Sequence, residues 1–203
     1  VDKKQKTLYE GISMKKIFYT LALLLIPGLA SAHTVHGGGG FMAGLSHPVL
    51  GFDHLLAMVS VGILSAQMGG KAKWMVPTAF VSVMLFGGIL GMMDVPFFSV
   101  ELGIAFSVFA LGIALAAEKK LPATLAMLFV GFFALFHGHA HGTEMPHLSH
   151  PALYVLGFVA ATTWIHICGL LIGMTFQLSP RGAELLRFAG AGIAGIGFHL
   201  LIL

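Results

Sequence analysis

The sequence predicts an all-α protein, a polytopic membrane helix bundle of six transmembrane helices behind a cleaved signal peptide. Three observations predict it. Hydrophobic residues make up 57% of the chain and charged residues only 9%. A soluble domain carries roughly 25% charged residues, so this chain has too few to cover a water-facing surface. Six apolar runs, each near the ~20 residues that cross a hydrocarbon core, are joined by short connections. Beyond the first sixteen residues, every Lys and Arg falls in alternate connections.

The runs are 48–69, 74–93, 97–117, 121–141, 152–176 and 183–203. Gly69, Gly70, Pro96, Pro122, Pro146, Pro151 and Pro180 fall at or near their ends, as helix punctuators do. Ahead of them, Met14-Lys15-Lys16 opens a basic stretch, Ile17 to Leu29 is apolar, and Ala30-Ser31-Ala32 matches an A-x-A cleavage site. Residues 14–32 therefore read as a secretory signal peptide, and the apolar run is shorter than a span needs. Residues 1–13 lack an initiator Met and read as upstream sequence outside the fold, leaving 33–203 as the six-helix domain. Cleavage would make His33 the mature N-terminus, on the outer face.

With that end outside, the inner connections are 70–73, 118–120 and 177–187. They hold Lys71, Lys73, Lys119, Lys120, Arg181 and Arg187, and the outer connections hold no Lys or Arg. Signal peptide and positive-inside rule agree on one topology: a multi-pass protein of the bacterial inner membrane with both mature termini periplasmic. Six basic residues against six acidic ones beyond the leader give no support to a nucleic-acid partner; membrane lipid is the surrounding medium. The lone Cys168 excludes an intrachain disulfide or a CxxC metal site. No GxxxxGK[ST] loop occurs, so a built-in ATPase is excluded. Nothing in the sequence signals an oligomeric state.

Eleven histidines in so apolar a chain are the chemical signal. On the topology above, His33, His36, His47, His137, His139, His141, His147 and His150 fall on the outer side. His54, His166 and His199 fall within helices, and none falls in an inner connection. Solvated surface histidines have no reason to be so asymmetric. At 3.6 residues per turn, His47, Gly51, His54 and Met58 share one face of the first helix, with Asp53 adjacent. Intramembrane ionisable residues are costly and usually functional. Imidazole, carboxylate and thioether together suit a borderline divalent ion such as nickel, cobalt, copper or zinc. The plainer alternative is an Asp53–His54 pair inside a buried polar network.

The fourth run ends His137-Gly138-His139-Ala140-His141-Gly142-Thr143-Glu144. His137 and His141 are one turn apart and can chelate one ion, while His139 points elsewhere for as long as the helix lasts. A His-rich loop that scavenges metal is the alternative here. Glu101, near the outer end of the third run, reads equally as a ligand or counter-charge and as a carboxylate at headgroup level. His166 and His199 read first as interhelical hydrogen-bonding groups and second as ligands.

The two histidine stretches resemble the signature segments of the HupE/UreJ family, accessory membrane proteins of hydrogenase and urease systems regarded as nickel, sometimes cobalt, permeases. The first is His47-Pro48-x-x-Gly51-x-Asp53-His54-x-x-x-Met58-x-x-Val61-Gly62, and the second His137-Gly138-His139-Ala140-His141-Gly142-x-Glu144-x-Pro146. The similarity extends over the mature chain. It implies nickel uptake serving a metalloenzyme, and it points to His47, Asp53, His54, His137, His139 and His141 as functional residues. His33, His36, Met58, Glu101, Glu144, His166 and His199 form a wider candidate set. The expected activity is secondary transport of Ni²⁺ or a similar cation, with no permanent cofactor and no catalytic residues. The rivals are a zinc-dependent intramembrane hydrolase, against which the absence of HExxH and GxSxG speaks, and a passive metal buffer or sensor.

Overall fold

The computed structural model describes residues 40–145 and 150–203. These residues form seven α-helices and no strand among them: α1 (Phe41–Leu50), α2 (Phe52–Met68), α3 (Ala72–Met92), α4 (Val100–Ala117), α5 (Ala123–Glu144), α6 (Pro151–Gln177) and α7 (Gly182–Ile202). Among the described residues five helices, α3 to α7, are long and apolar enough to cross a membrane, and α1 with α2 passes the same test only as a pair bent at a break, the geometry of a broken span or a re-entrant loop. The expected signal peptide over 14–32, together with His33, His36 and His147, lies outside the described residues.

The expected continuous helix over 48–69 is corrected by the structure. The chain bends by 82° between α1 and α2. Gly51, the hinge, is extended at φ −74° and ψ 101°. Its N–H donates to the His47 carbonyl at 3.0 Å and closes α1, while its own carbonyl accepts from Leu55 N–H at 2.8 Å and opens α2. Glycine disfavours a helix interior by about 1 kcal/mol against alanine, and proline by more. Pro48, three residues earlier and inside α1, has no N–H to give the helix. The break thus falls where the local cost of breaking is lowest. A single continuous face carrying His47, Gly51, His54 and Met58 does not exist.

Glycines set how closely the helices meet. In lipid, helices associate through backbone approach at small residues. A Cβ at Gly138 would land on the Met84 carbonyl of α3, and one at Gly142 on the Gly88 carbonyl; Gly87 and Gly91 face α5 equally tightly. On α2 and α6, Gly62 lies against the His166 carbonyl and Gly169 against the Val59 carbonyl. Gly112 of α4 meets Gly190 and Ala194 of α7. In α7, by contrast, Gly192 and Gly195 face open space, so only part of its small-residue pattern is used for packing.

Gly138→Val is expected to destabilise the protein by at least the ~1–3 kcal/mol typical of overpacking, because backbone and not a flexible side chain blocks the new atoms. Gly192→Ala should be neutral or slightly stabilising, since nothing lies within 4 Å of its Cβ position. Thermal unfolding of both variants in detergent checks the contrast.

Between the helices lies a core that includes Ala57, Met58, Val61, Phe80, Met84, Val108, Leu111 and Val130. Outward-facing Trp74, Phe86, Phe132 and Phe188 present the apolar surface a bilayer covers. Near the start of α7, the Arg187 Nε–H donates to the Ala116 carbonyl at 3.1 Å, satisfying an orphan acceptor at the end of α4.

Candidate metal site

The motif of α5 sorts its residues by helical rotation. Gly138 and Gly142 face α3, which lets α5 come close. His137 and His141, also four apart, turn into the bundle and are 0% and 1% exposed. His139 turns the opposite way. Its ring stacks on Phe97 at 5.1 Å, and Nε2–H donates to the Val95 carbonyl at 2.9 Å in the α3–α4 connection.

The bent α1–α2 pair delivers two more imidazoles. His47 sits in the last turn of α1 and His54 in the first turn of α2, and the bend leaves their rings 6.2 Å apart. His54 also lies 4.7 Å from His137 and 4.7 Å from His141, and His47 lies 4.5 Å from His141. Four histidines from three helices therefore form one contiguous cluster. Phe158 closes one side, 4.0 Å from the His141 ring.

Hydrogen bonds assign the tautomers of two of the four. The Asp53 carboxylate accepts from the His54 backbone N–H at 2.8 Å and from His54 Nδ1 at 2.9 Å. A carboxylate only accepts, so Nδ1 carries the proton and Nε2 keeps its lone pair. On His137, Nε2 meets Ser107 Oγ at 2.9 Å. The Ser107 hydroxyl spends its single proton on the Ile104 carbonyl at 2.6 Å, so His137 Nε2–H donates and Nδ1 keeps the lone pair. His54 Nε2, His137 Nδ1 and both His141 nitrogens are buried without a hydrogen-bond partner among the described residues. One nitrogen anchored to an acceptor and the other left bare is how metal-ligating histidines are held. Asp53 lies in the first turn of α2, where the helix macrodipole favours a negative charge.

The rings meet edge to face, and among the described residues no three His, Cys, Asp or Glu side chains are drawn together on one ion-sized point. Rings sharing one ion at about 2.1 Å per nitrogen stand roughly 5 Å apart, centre to centre. Three of the observed separations, 4.5, 4.7 and 4.7 Å, are close to that spacing, whereas His47 and His54 at 6.2 Å stand wider.

The other candidates lie elsewhere. Met58 is fully buried in the apolar core. Glu101 is exposed in the first turn of α4, and His199 is exposed in the last turn of α7. His166 is 2% exposed, in α6, against Phe80. Glu144 ends α5, and His150 is exposed at the start of α6. The sequence reading missed Ser107, Phe80 and Phe158. Ser107 had a signal, a lone hydroxyl deep in an apolar run; the two phenylalanines had none.

Fold and site define a multi-pass helical membrane protein whose bent α1–α2 pair and α5 hold a histidine cluster. The chain belongs to the HupE/UreJ family: the family model described as "HupE / UreJ protein" matches residues 21–200. It is 44% identical over 187 residues to "Protein HupE" of Rhizobium leguminosarum bv. viciae, covering 92% of this chain and 97% of that protein. No solved structure matches.

Proposed function

We propose that this chain carries a divalent transition-metal cation, nickel by preference, inward across the bacterial inner membrane to supply a metalloenzyme such as a hydrogenase or urease. Cobalt and copper satisfy the same donor chemistry. The observation that carries the reading is the pair His54 and His137. Each is anchored through one nitrogen, and each holds the other, bare, within a buried cluster.

The ion enters from the periplasmic side, where His33, His36, His147 and His150 concentrate it. His47, His54, His137 and His141 then replace its water ligands, and Asp53 offsets part of its charge. Inner-negative potential drives it onward, at ~2.3 kcal/mol per elementary charge per 100 mV and twice that for a divalent ion. The protein is a secondary permease with no catalytic residue.

Reconstituted vesicles test this directly. Net nickel influx that responds to an imposed inner-negative potential supports transport. Lipid or peptide hydrolysis without flux would favour the zinc hydrolase, and binding without flux a buffer or sensor.

Protons compete with the metal for the same lone pairs. Influx is therefore expected to fall as the outer pH drops through and below the imidazole range of about 6.5. A pH series of initial rates at fixed membrane potential checks the sign; rates that rise on acidification would point to proton-coupled import.

A further inference from the structure

The histidine cluster ends well short of the inner surface, and a metal leaving it must cross the lower half of the bundle. There His166 is 2% exposed, with both ring nitrogens lacking a partner among the described residues. It is not alone at that depth. Thr162, one turn outward on the same face of α6, is 0% exposed with its hydroxyl unpartnered, and so is Ser60 of α2. An ionisable side chain buried in a membrane span without a partner marks a polar pathway far more often than a packing choice.

One aromatic ring joins this level to the cluster. Phe80 of α3 is fully buried. Its ring lies 5.6 Å from His137 on one side and 5.1 Å from His166 on another. Beside His166, a groove of about 190 Å³ opens between α3 and α6. His166 lines it together with Thr78, Ser82 and Thr163, which are exposed on the outside of the bundle, and it extends along that face to Lys73 and Trp74 at the start of α3.

We propose that His166 is an inner station on the ion's route, separated from the outer cluster by the Phe80 ring. The proposal rests on the transport reading above. One imidazole with a single hydroxyl one turn away on the same helix face is a poor trap for a divalent ion, and that suits a relay. Conduction needs sites strong enough to enter and weak enough to leave.

The test is His166→Leu in the full-length protein. Nickel binding is followed by titration in detergent, and nickel influx by a metal-sensitive dye trapped in vesicles. Replacing an orphaned polar group with an apolar one of similar size relieves a burial penalty, so the unfolding temperature should hold or rise. Binding at the outer cluster should stay within about twofold of wild type while influx falls by about tenfold or more. If Leu prevents insertion, His166→Gln carries the same expectation. Influx within about twofold of wild type overturns the inner station and leaves transport standing. A parallel loss of binding and influx also overturns it, because His166 then acts through the outer site. A wild-type protein that binds nickel but moves none removes the transport reading itself.

Discussion

Asp53→Asn is expected to insert and fold like the wild type yet lose nickel uptake by roughly 10–100-fold, the cost usual for removing the partner of a metal-ligating histidine. The substitution is nearly isosteric. The amide oxygen can still accept from the His54 backbone N–H and from Nδ1, as the carboxylate does at 2.8 and 2.9 Å. What disappears is the negative charge. That charge raises the basicity of the His54 Nε2 lone pair and offsets part of the ion's charge at low dielectric, where the interaction is strongest. Initial rates of radioactive nickel influx, normalised to inserted protein, measure the effect. Rates equal to wild type would mean that Asp53 serves only to start α2, whose first-turn N–H it already caps.

That outcome also bears on what the sequence could reveal. The spans were legible because burial in lipid demands long apolar runs, and those runs coincide with α3 to α7. The split within the second motif was legible too. Four-residue spacing puts His137 with His141 and sets His139 apart, and the structure shows His139 against Val95 and Phe97. The break at Gly51 was not legible from the face argument, because projecting His47, His54 and Met58 onto one face presumes a straight helix. Pro48 and Gly51 carried the warning, but a punctuator inside a run of spanning length does not announce an 82° bend. The Ser107–His137 hydrogen bond, thirty residues apart in sequence, follows from α4–α5 packing and from nothing local.

The bend changes how the site is assembled. On a straight helix, His47 and His54 would stand about two turns apart, roughly 10 Å at 1.5 Å per residue. Around the bend their rings are 6.2 Å apart. Broken spans recur where membrane proteins hold ions, since half-helix ends present their dipoles and free backbone groups to the site. A Cβ at Gly51 would stand 3.2 Å from His54 Nδ1 and 3.5 Å from Asp53 Oδ1. The hinge glycine therefore also leaves room for the hydrogen bond that orients His54.

The geometry argues for one shared outer site, and mutational coupling decides it. His54 touches both His137 and His141 at 4.7 Å between ring centres, and His47 touches His141 at 4.5 Å. α1 and α2 contribute two imidazoles and α5 two more; a borderline divalent ion takes four or more donors, which neither side supplies alone. His54→Ala and His137→Ala are thus each expected to weaken nickel binding by about a hundredfold or more, and the double variant to be no worse than either single one. Residues of one network show such non-additivity, whereas independent sites add. His150→Ala, in an exposed residue at the start of α6, should only reduce capture at low metal concentration. Titration calorimetry of wild type, both singles and the double variant in detergent gives affinity and stoichiometry together. Under the shared-site geometry the stoichiometry of the high-affinity phase is one, and either single substitution removes it whole. If each substitution instead deletes its own equivalent of nickel and leaves the other intact, α2 and α5 hold separate ions. The 4.7 Å between their rings would then be the length of a transfer step and not the width of a site.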